Sequence, residues 1–83
     1  MSAARDQSHD AELSFAFDDE RRARIVAESV RQEVGEIDGD RTRADVDRTG
    51  RTVTVAVTAS DLVALRAGCN TWSTLVSVAE RVA

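Results

Sequence analysis

Residues 52–58 read Thr-Val-Thr-Val-Ala-Val-Thr, β-branched nearly throughout, with Val53, Val55 and Val57 alternating onto one face. Branched side chains lose rotamer freedom against a helical turn and pack well on a pleated surface, so this run is a half-buried strand. A strand needs neighbours, and two further stretches supply the same period of two. From Glu12 to Phe17, Leu13, Phe15 and Phe17 share one face while Glu12, Ser14 and Ala16 share the other. From Thr42 to Arg48, Ala44 and Val46 point inward, with Arg43, Asp45 and Asp47 outward. Thr49-Gly50 reads as a tight hairpin turn in which Gly50 takes a positive φ.

Two segments switch to a helical period. Asp18, Asp19 and Glu20 place negative charge at a helix N-terminus, followed by Ala23, Val26, Ala27, Val30 and Val34 on one side. Arg21, Arg22, Arg24, Glu28, Arg31 and Glu33 occupy the other side, and Gly35 is placed to end the helix in the left-handed conformation. A polar connection, Glu36 to Asp40, leads into the second strand. After the third, Ser60 is the expected N-cap and Asp61 adds charge to the first turn of a helix running to Val82. The order is β-α-β-β-α. The simplest α+β architecture it allows is a three-stranded antiparallel sheet with two helices on one face. Residues 1–10 lack periodicity and read as a disordered tail, leaving 11–83 as a single small domain.

The last helix has more apolar surface than a short sheet requires. Leu62, Leu65, Cys69, Trp72, Val76 and Ala79 form one stripe, and Ala64, Gly68, Thr71, Leu75, Val78 and Val82 form a second, turned by about 100°. Both stripes could serve the core, one on the sheet and one on the first helix. The expectation favoured by domain size assigns the first stripe to the fold and the second to another protein chain. Ala64, Gly68 and Thr71 are small enough to let a foreign helix approach, and a wide apolar arc marks an interface. The open sheet adds two unpaired edges.

A domain of 83 residues buries too little surface to be very stable alone, and small domains usually add disulfides, a metal or a partner. One cysteine cannot form an internal disulfide, and its presence as a lone thiol fits a reducing cytoplasm. His9 lies far along the chain from Cys69, which leaves no His/Cys ligand set, and no cofactor is expected. The remaining route is oligomerisation. Acidic residues number 15 against 11 basic ones, every one of them arginine. Such a balance fits a high-salt cytoplasm, where a Debye length near 3 Å screens surface repulsion, or a very GC-rich genome, or else compositional drift. It argues against non-specific nucleic-acid binding by the free chain. No apolar run spans a membrane and no signal layout opens the chain, so a cytoplasmic location and no membrane partner are expected.

Catalytic groups are scarce: there is no lysine or tyrosine, no serine has a base nearby in a fixed element, and the glycines are scattered. Cys69 sits on an apolar stripe as a small hydrophobe. Glu36, Asp38, Asp40, Asp45 and Asp47 lack the loop spacing that calcium demands and read as a solvated face. Arg41, Arg43, Arg48 and Arg51 are expected to gather around one end and face of the hairpin, where they pair with Asp40, Asp45 and Asp47 or meet phosphate.

The stretch from Ala59 to Glu80 resembles the polarised-growth chromatin-associated controller family, the small subunit of the KEOPS complex. The matching marks are Asp61 at the helix start, Leu65-Arg66-Ala67, Asn70, and Leu75 with Val78; the β-α-β-β order and an arginine entering the second strand agree upstream. The resemblance implies a non-enzymatic scaffold in a complex that adds threonylcarbamoyl to N6 of adenosine 37 of tRNA. It implies a homodimer joined through the sheet, helices docked on the separate catalytic tRNA-threonylcarbamoyl transferase subunit, and help in holding tRNA. Ala64, Gly68, Thr71, Leu75, Val78 and Val82 are then the partner-helix interface, and Arg41, Arg43 and Arg66 the candidates for tRNA contact. The high-salt composition adds a halophilic archaeon as source. A different class remains beside it, a stand-alone RNA-binding module presenting Arg41, Arg43 and Arg51. It lacks exposed aromatics for base stacking, since Phe15, Phe17 and Trp72 fit the core.

Overall fold

The computed structural model describes residues 9–34 and 42–83. Its elements are β1 (His9–Ala16), α1 (Glu20–Arg31), β2 (Thr42–Thr49), β3 (Thr52–Ala59) and α2 (Leu62–Val82). This is the expected β-α-β-β-α order with a three-stranded antiparallel sheet. The Gly35 cap, the Glu36–Asp40 connection and Arg41 lie outside the described residues.

The strand order is β1-β3-β2, which puts the Val-rich strand in the middle. Both outer strands are antiparallel to β3, so β1 and β2 run parallel with β3 inserted between them, a split β-α-β arrangement. Rows across the sheet follow directly from the register: Ala11–Val57–Ala44, Leu13–Val55–Val46 and Phe15–Val53–Arg48 on one face. α1 lies over β2 and β3, α2 over β1 and β3, and the helices touch each other. Val53, Val55, Val57 and Ala59 are buried beneath them. The other face carries the polar rows and is left open. Loop residues Gly50 and Arg51 join β2 to β3, and only Gly50 among them has a positive φ, +58°. A positive φ at the first central position is the pattern of a type II′ turn, whose twist suits a two-residue hairpin.

Several boundaries differ from the sequence expectation. α1 ends at Arg31 with Gln32 as its C-cap, short of Val34 and Gly35, and the hairpin turn is Gly50-Arg51, with Thr49 still in β2. β1 starts at His9 and ends at Ala16, so His9 and Asp10 are in the sheet rather than in a tail. Their pairing with Ala59 and Thr58 extends the ladder, which a search for apolar alternation overlooks at a polar strand end. The N-cap of α2 is Asp61, not Ser60: its Oδ1 accepts from Ala64 N–H at 2.7 Å. Asp19 caps α1 in the same way, accepting from Arg22 N–H at 2.7 Å.

Trp72, 2% exposed, anchors α2 in a core with Ala23, Val26, Ala27 and Val30 of α1 and the valines of β3. Arg22 crosses between the helices and donates from Nη1 to Glu80 O at 3.0 Å. Glu80 O also accepts from Ala83 N–H at 3.3 Å, so Arg22 adds a second donor there and places a cation where the helix dipole favours one.

Candidate functional site

Two features of the described surface are unfinished by the chain's own packing: the outward side of α2 and the edges of the sheet.

On α2 the two stripes separate as follows. Trp72, Val76 and Ala79 are buried, and Leu65 and Cys69 are partly buried against the same core. Leu62, at the start of the helix, departs from the fold-holding stripe, being 54% exposed; Val63 beside it is 74% exposed. Gly68 also changes role. A Cβ at Gly68 would stand 3.1 Å from Val57 Cγ1 and 3.7 Å from Thr42 Cγ2, so this glycine faces the molecule's own sheet. Its small size lets α2 settle onto β3 and the start of β2 and does not serve a foreign helix. Ala64 is half-buried and Thr71 exposed. Leu75 packs partly on the core, whereas Val78 is 43% and Val82 80% exposed. Leu75, Val78 and Val82 line one wall of a shallow apolar groove whose other wall comes from Ser29 and Val30 of α1 and from Glu33 just past its end. The contribution of Ser29 and Glu33 was not legible in sequence, because neither belongs to the apolar positions of the first helix and Glu33 lies past its end.

The sheet edges are unequal. Phe17 N–H donates to Arg51 O at 2.9 Å, extending the β1–β3 ladder by one step. Backbone groups alternate sides along a strand, so the odd-numbered residues of β1 face β3 and Asp10, Glu12, Ser14 and Ala16 turn theirs outward. On β2, Val46 O is turned outward and accepts from Arg31 Nη2 of α1 at 3.2 Å. The β2 edge is thus partly covered by a side chain from α1, a role for Arg31 that the sequence pattern did not suggest. Among the described residues no such bond covers the β1 edge. Beside that edge, Ala11, Leu13 and Phe15 remain half-exposed on the helix-facing side.

The arginines do not gather. Arg43 stands near the start of β2 on the open face, in the row Asp10–Thr58–Arg43. Arg51 lies at the opposite, hairpin end, donating to Asp18 O at 3.3 Å. Arg48 belongs to the helix-facing row and donates to Gly50 O at 3.0 Å. The expected cluster therefore fails for a geometric reason: β2 is extended over its whole length, which separates Arg43 from the turn by about 20 Å. Arg66 is exposed on α2. Among the described residues no three or more His, Cys, Asp or Glu side chains come together as a metal would require. No described helix is long and apolar enough to cross a membrane.

The family model described as "Transcription factor Pcc1" matches residues 10–83. Among solved structures, a chain in the "Crystal structure of binary complex Gon7-Pcc1" is similar at a TM-score of 0.75 and 20% sequence identity, covering 89% of this chain and 90% of that chain. At that identity the likeness establishes the common fold. No curated protein sequence matches.

Proposed function

Since the chain belongs to the Pcc1 family, we propose that it is a non-catalytic subunit of a KEOPS-type complex that adds threonylcarbamoyl to N6 of adenosine 37 of tRNA. Its task there is to join chains. The observation that carries this reading is the uncovered apolar wall Leu75, Val78 and Val82 beside α1. An exposed valine pair in a continuous groove is surface that another helix removes from water, at about 25 cal/mol per Å² of apolar area. The catalytic subunit is the proposed occupant. The β1 edge is the proposed homodimer contact, because its backbone groups point outward and its apolar side chains are only half covered. The lysine-free, acidic composition supports a high-salt archaeal cytoplasm as the setting.

The word transcription in the family's description is not carried over. On α1, Arg21 and Arg24 stand with Glu20 and Glu28 while Arg22 and Arg31 are bonded to Glu80 O and Val46 O, and α2 offers Arg66 and Arg81 with Glu80, so neither helix presents a free, purely basic face to a DNA groove. Holding tRNA is proposed only for the assembled complex, with Arg43 and Arg66 as candidate contacts. The stand-alone RNA module loses its support with the separation of Arg43 from Arg51.

The test is co-purification with the catalytic subunit. Val78→Asp with Val82→Asp changes two exposed positions and leaves the far-UV circular dichroism of the chain unaltered. It weakens capture of the catalytic subunit by about 30-fold or more, the effect of losing a central apolar anchor. Undiminished capture by the folded double variant would reject the groove as the docking site.

A further inference from the structure

The two walls of the groove between the helices differ in chemistry. Leu75, Val78 and Val82 make the α2 wall apolar, whereas the opposite wall carries Glu33 just past the end of α1. Glu33 is half-buried there, and its carboxylate makes no hydrogen bond or ion pair with any described residue. Arg22 of the first turn of α1 reaches Glu80 O near the end of α2, so the helices run antiparallel and Glu33 stands toward the Leu75 end of the groove. It also lies beside the C-terminus of α1, where the last carbonyls carry partial negative charge. The cation of that last turn, Arg31, is turned away to the β2 edge, where it donates to Val46 O at 3.2 Å. One end of an apolar groove is therefore negative, with no cation of the described chain to answer it.

In the free chain, water solvates the open side of the Glu33 carboxylate. A helix laid in the groove removes that water, and a carboxylate left desolvated and unpaired is strongly unfavourable. An occupant that offers only aliphatic side chains is penalised at this end, and one that brings a cation is favoured. Arginine suits the position best, because its guanidinium is weakly hydrated and its fork meets both carboxylate oxygens.

We propose that Glu33 selects and orients the helix docked in this groove, through an ion pair with an arginine or lysine that the catalytic subunit carries on the flank of that helix. The inference rests on the docking reading above and adds the chemistry of the partner's helix. Because the cation has to fall at the Leu75 end while aliphatic side chains cover Val78 and Val82, the pair also fixes the register of the helix along the groove.

Titration calorimetry of the full chain against the purified catalytic subunit tests it. Glu33→Gln is expected to weaken binding about ten-fold and Glu33→Arg about 100-fold, as for loss and reversal of a desolvated charge pair. Glu28→Gln, an exposed carboxylate of α1 that does not line the groove, leaves binding within about two-fold. The urea midpoint of the free Glu33→Gln chain stays the same or rises, since the carboxylate has no described partner in its own fold. A lowered midpoint would assign Glu33 to folding and overturn the proposal. Undiminished binding by Glu33→Gln, with Val78→Asp, Val82→Asp still defective, overturns the ion pair and leaves groove docking in place; undiminished binding by all of these variants overturns both. Changing the matching arginine or lysine of the catalytic subunit to glutamate is expected to restore binding to Glu33→Arg. If no single substitution of a cation in the catalytic subunit restores it, the ion pair is rejected.

Discussion

A glycine inside a helix costs about 1 kcal/mol relative to alanine, so Gly68 in α2 requires a reason. The reason is an approach of helix to sheet in which even a Cβ would press on Val57 Cγ1 at 3.1 Å. Gly68→Leu is therefore expected to destabilise the isolated chain by about 1–3 kcal/mol, the usual result of overpacking, read as a lowered urea midpoint. Were Gly68 turned to a partner, the same change would leave the isolated chain as stable or more so, through better helix propensity. In sequence, Gly68 is one small residue among Ala64, Gly68 and Thr71 on a single stripe. Spacing shows that they share a side of α2, but not whether that side meets its own sheet. Trp72 was legible without ambiguity, because the bulkiest side chain on an apolar stripe has nowhere else to go in so small a domain.

At the scale of elements, local chemistry decides helix ends more closely than composition does. Ser60 and Asp61 are both good N-cap residues, and the choice between them turns on which carboxylate or hydroxyl reaches an amide. Asp61 Oδ1 reaches Ala64 N–H. Asp61→Ala is expected to cost about 1 kcal/mol, whereas Ser60→Ala stays within about 0.5 kcal/mol, as for an ordinary exposed position. Thermal or urea unfolding of the two variants separates the assignments; a larger loss at Ser60 would reject the cap. The β-branched alternation of β3 and the apolar positions of α1 needed no tertiary information, since each follows from one period over one segment. β1 was legible only from Glu12 onward because His9 and Asp10 carry no apolar pattern and are held by ladder bonds to β3.

For the molecule as a whole, the order β1-β3-β2 sets which surfaces are finished. α1 lies beside β2, and its Arg31 reaches the Val46 carbonyl, so one edge is partly covered and the other is open. This has a readable consequence in amide hydrogen exchange of the monomer at high dilution. Along β1, the amides of Ala11, Leu13 and Phe15 are expected to be protected, and those of Glu12, Ser14 and Ala16 to exchange rapidly, while β3 is protected throughout. Occupation of this edge by the proposed second copy should slow Glu12 and Ser14 as the concentration is raised. Uniform protection of β1 in the monomer would contradict an open edge.

By itself the sequence determined the elements, their order, the α+β class and the residues of the core face, because hydrophobic period and turn chemistry act within one segment at a time. It also marked α2 as carrying more apolar surface than a three-stranded sheet can use. Only the tertiary structure decided how that surface divides. Gly68 was drawn inward by the close approach of β3, Leu62 was left outside at the helix start, and Val78 and Val82 were joined to Ser29 of α1 and to Glu33 just beyond it in one groove. It likewise dispersed the arginines expected at the hairpin, because an extended strand carries Arg43 and Arg51 to opposite ends. These outcomes depend on pairing between segments distant in the chain, and no periodicity within a single segment contains them.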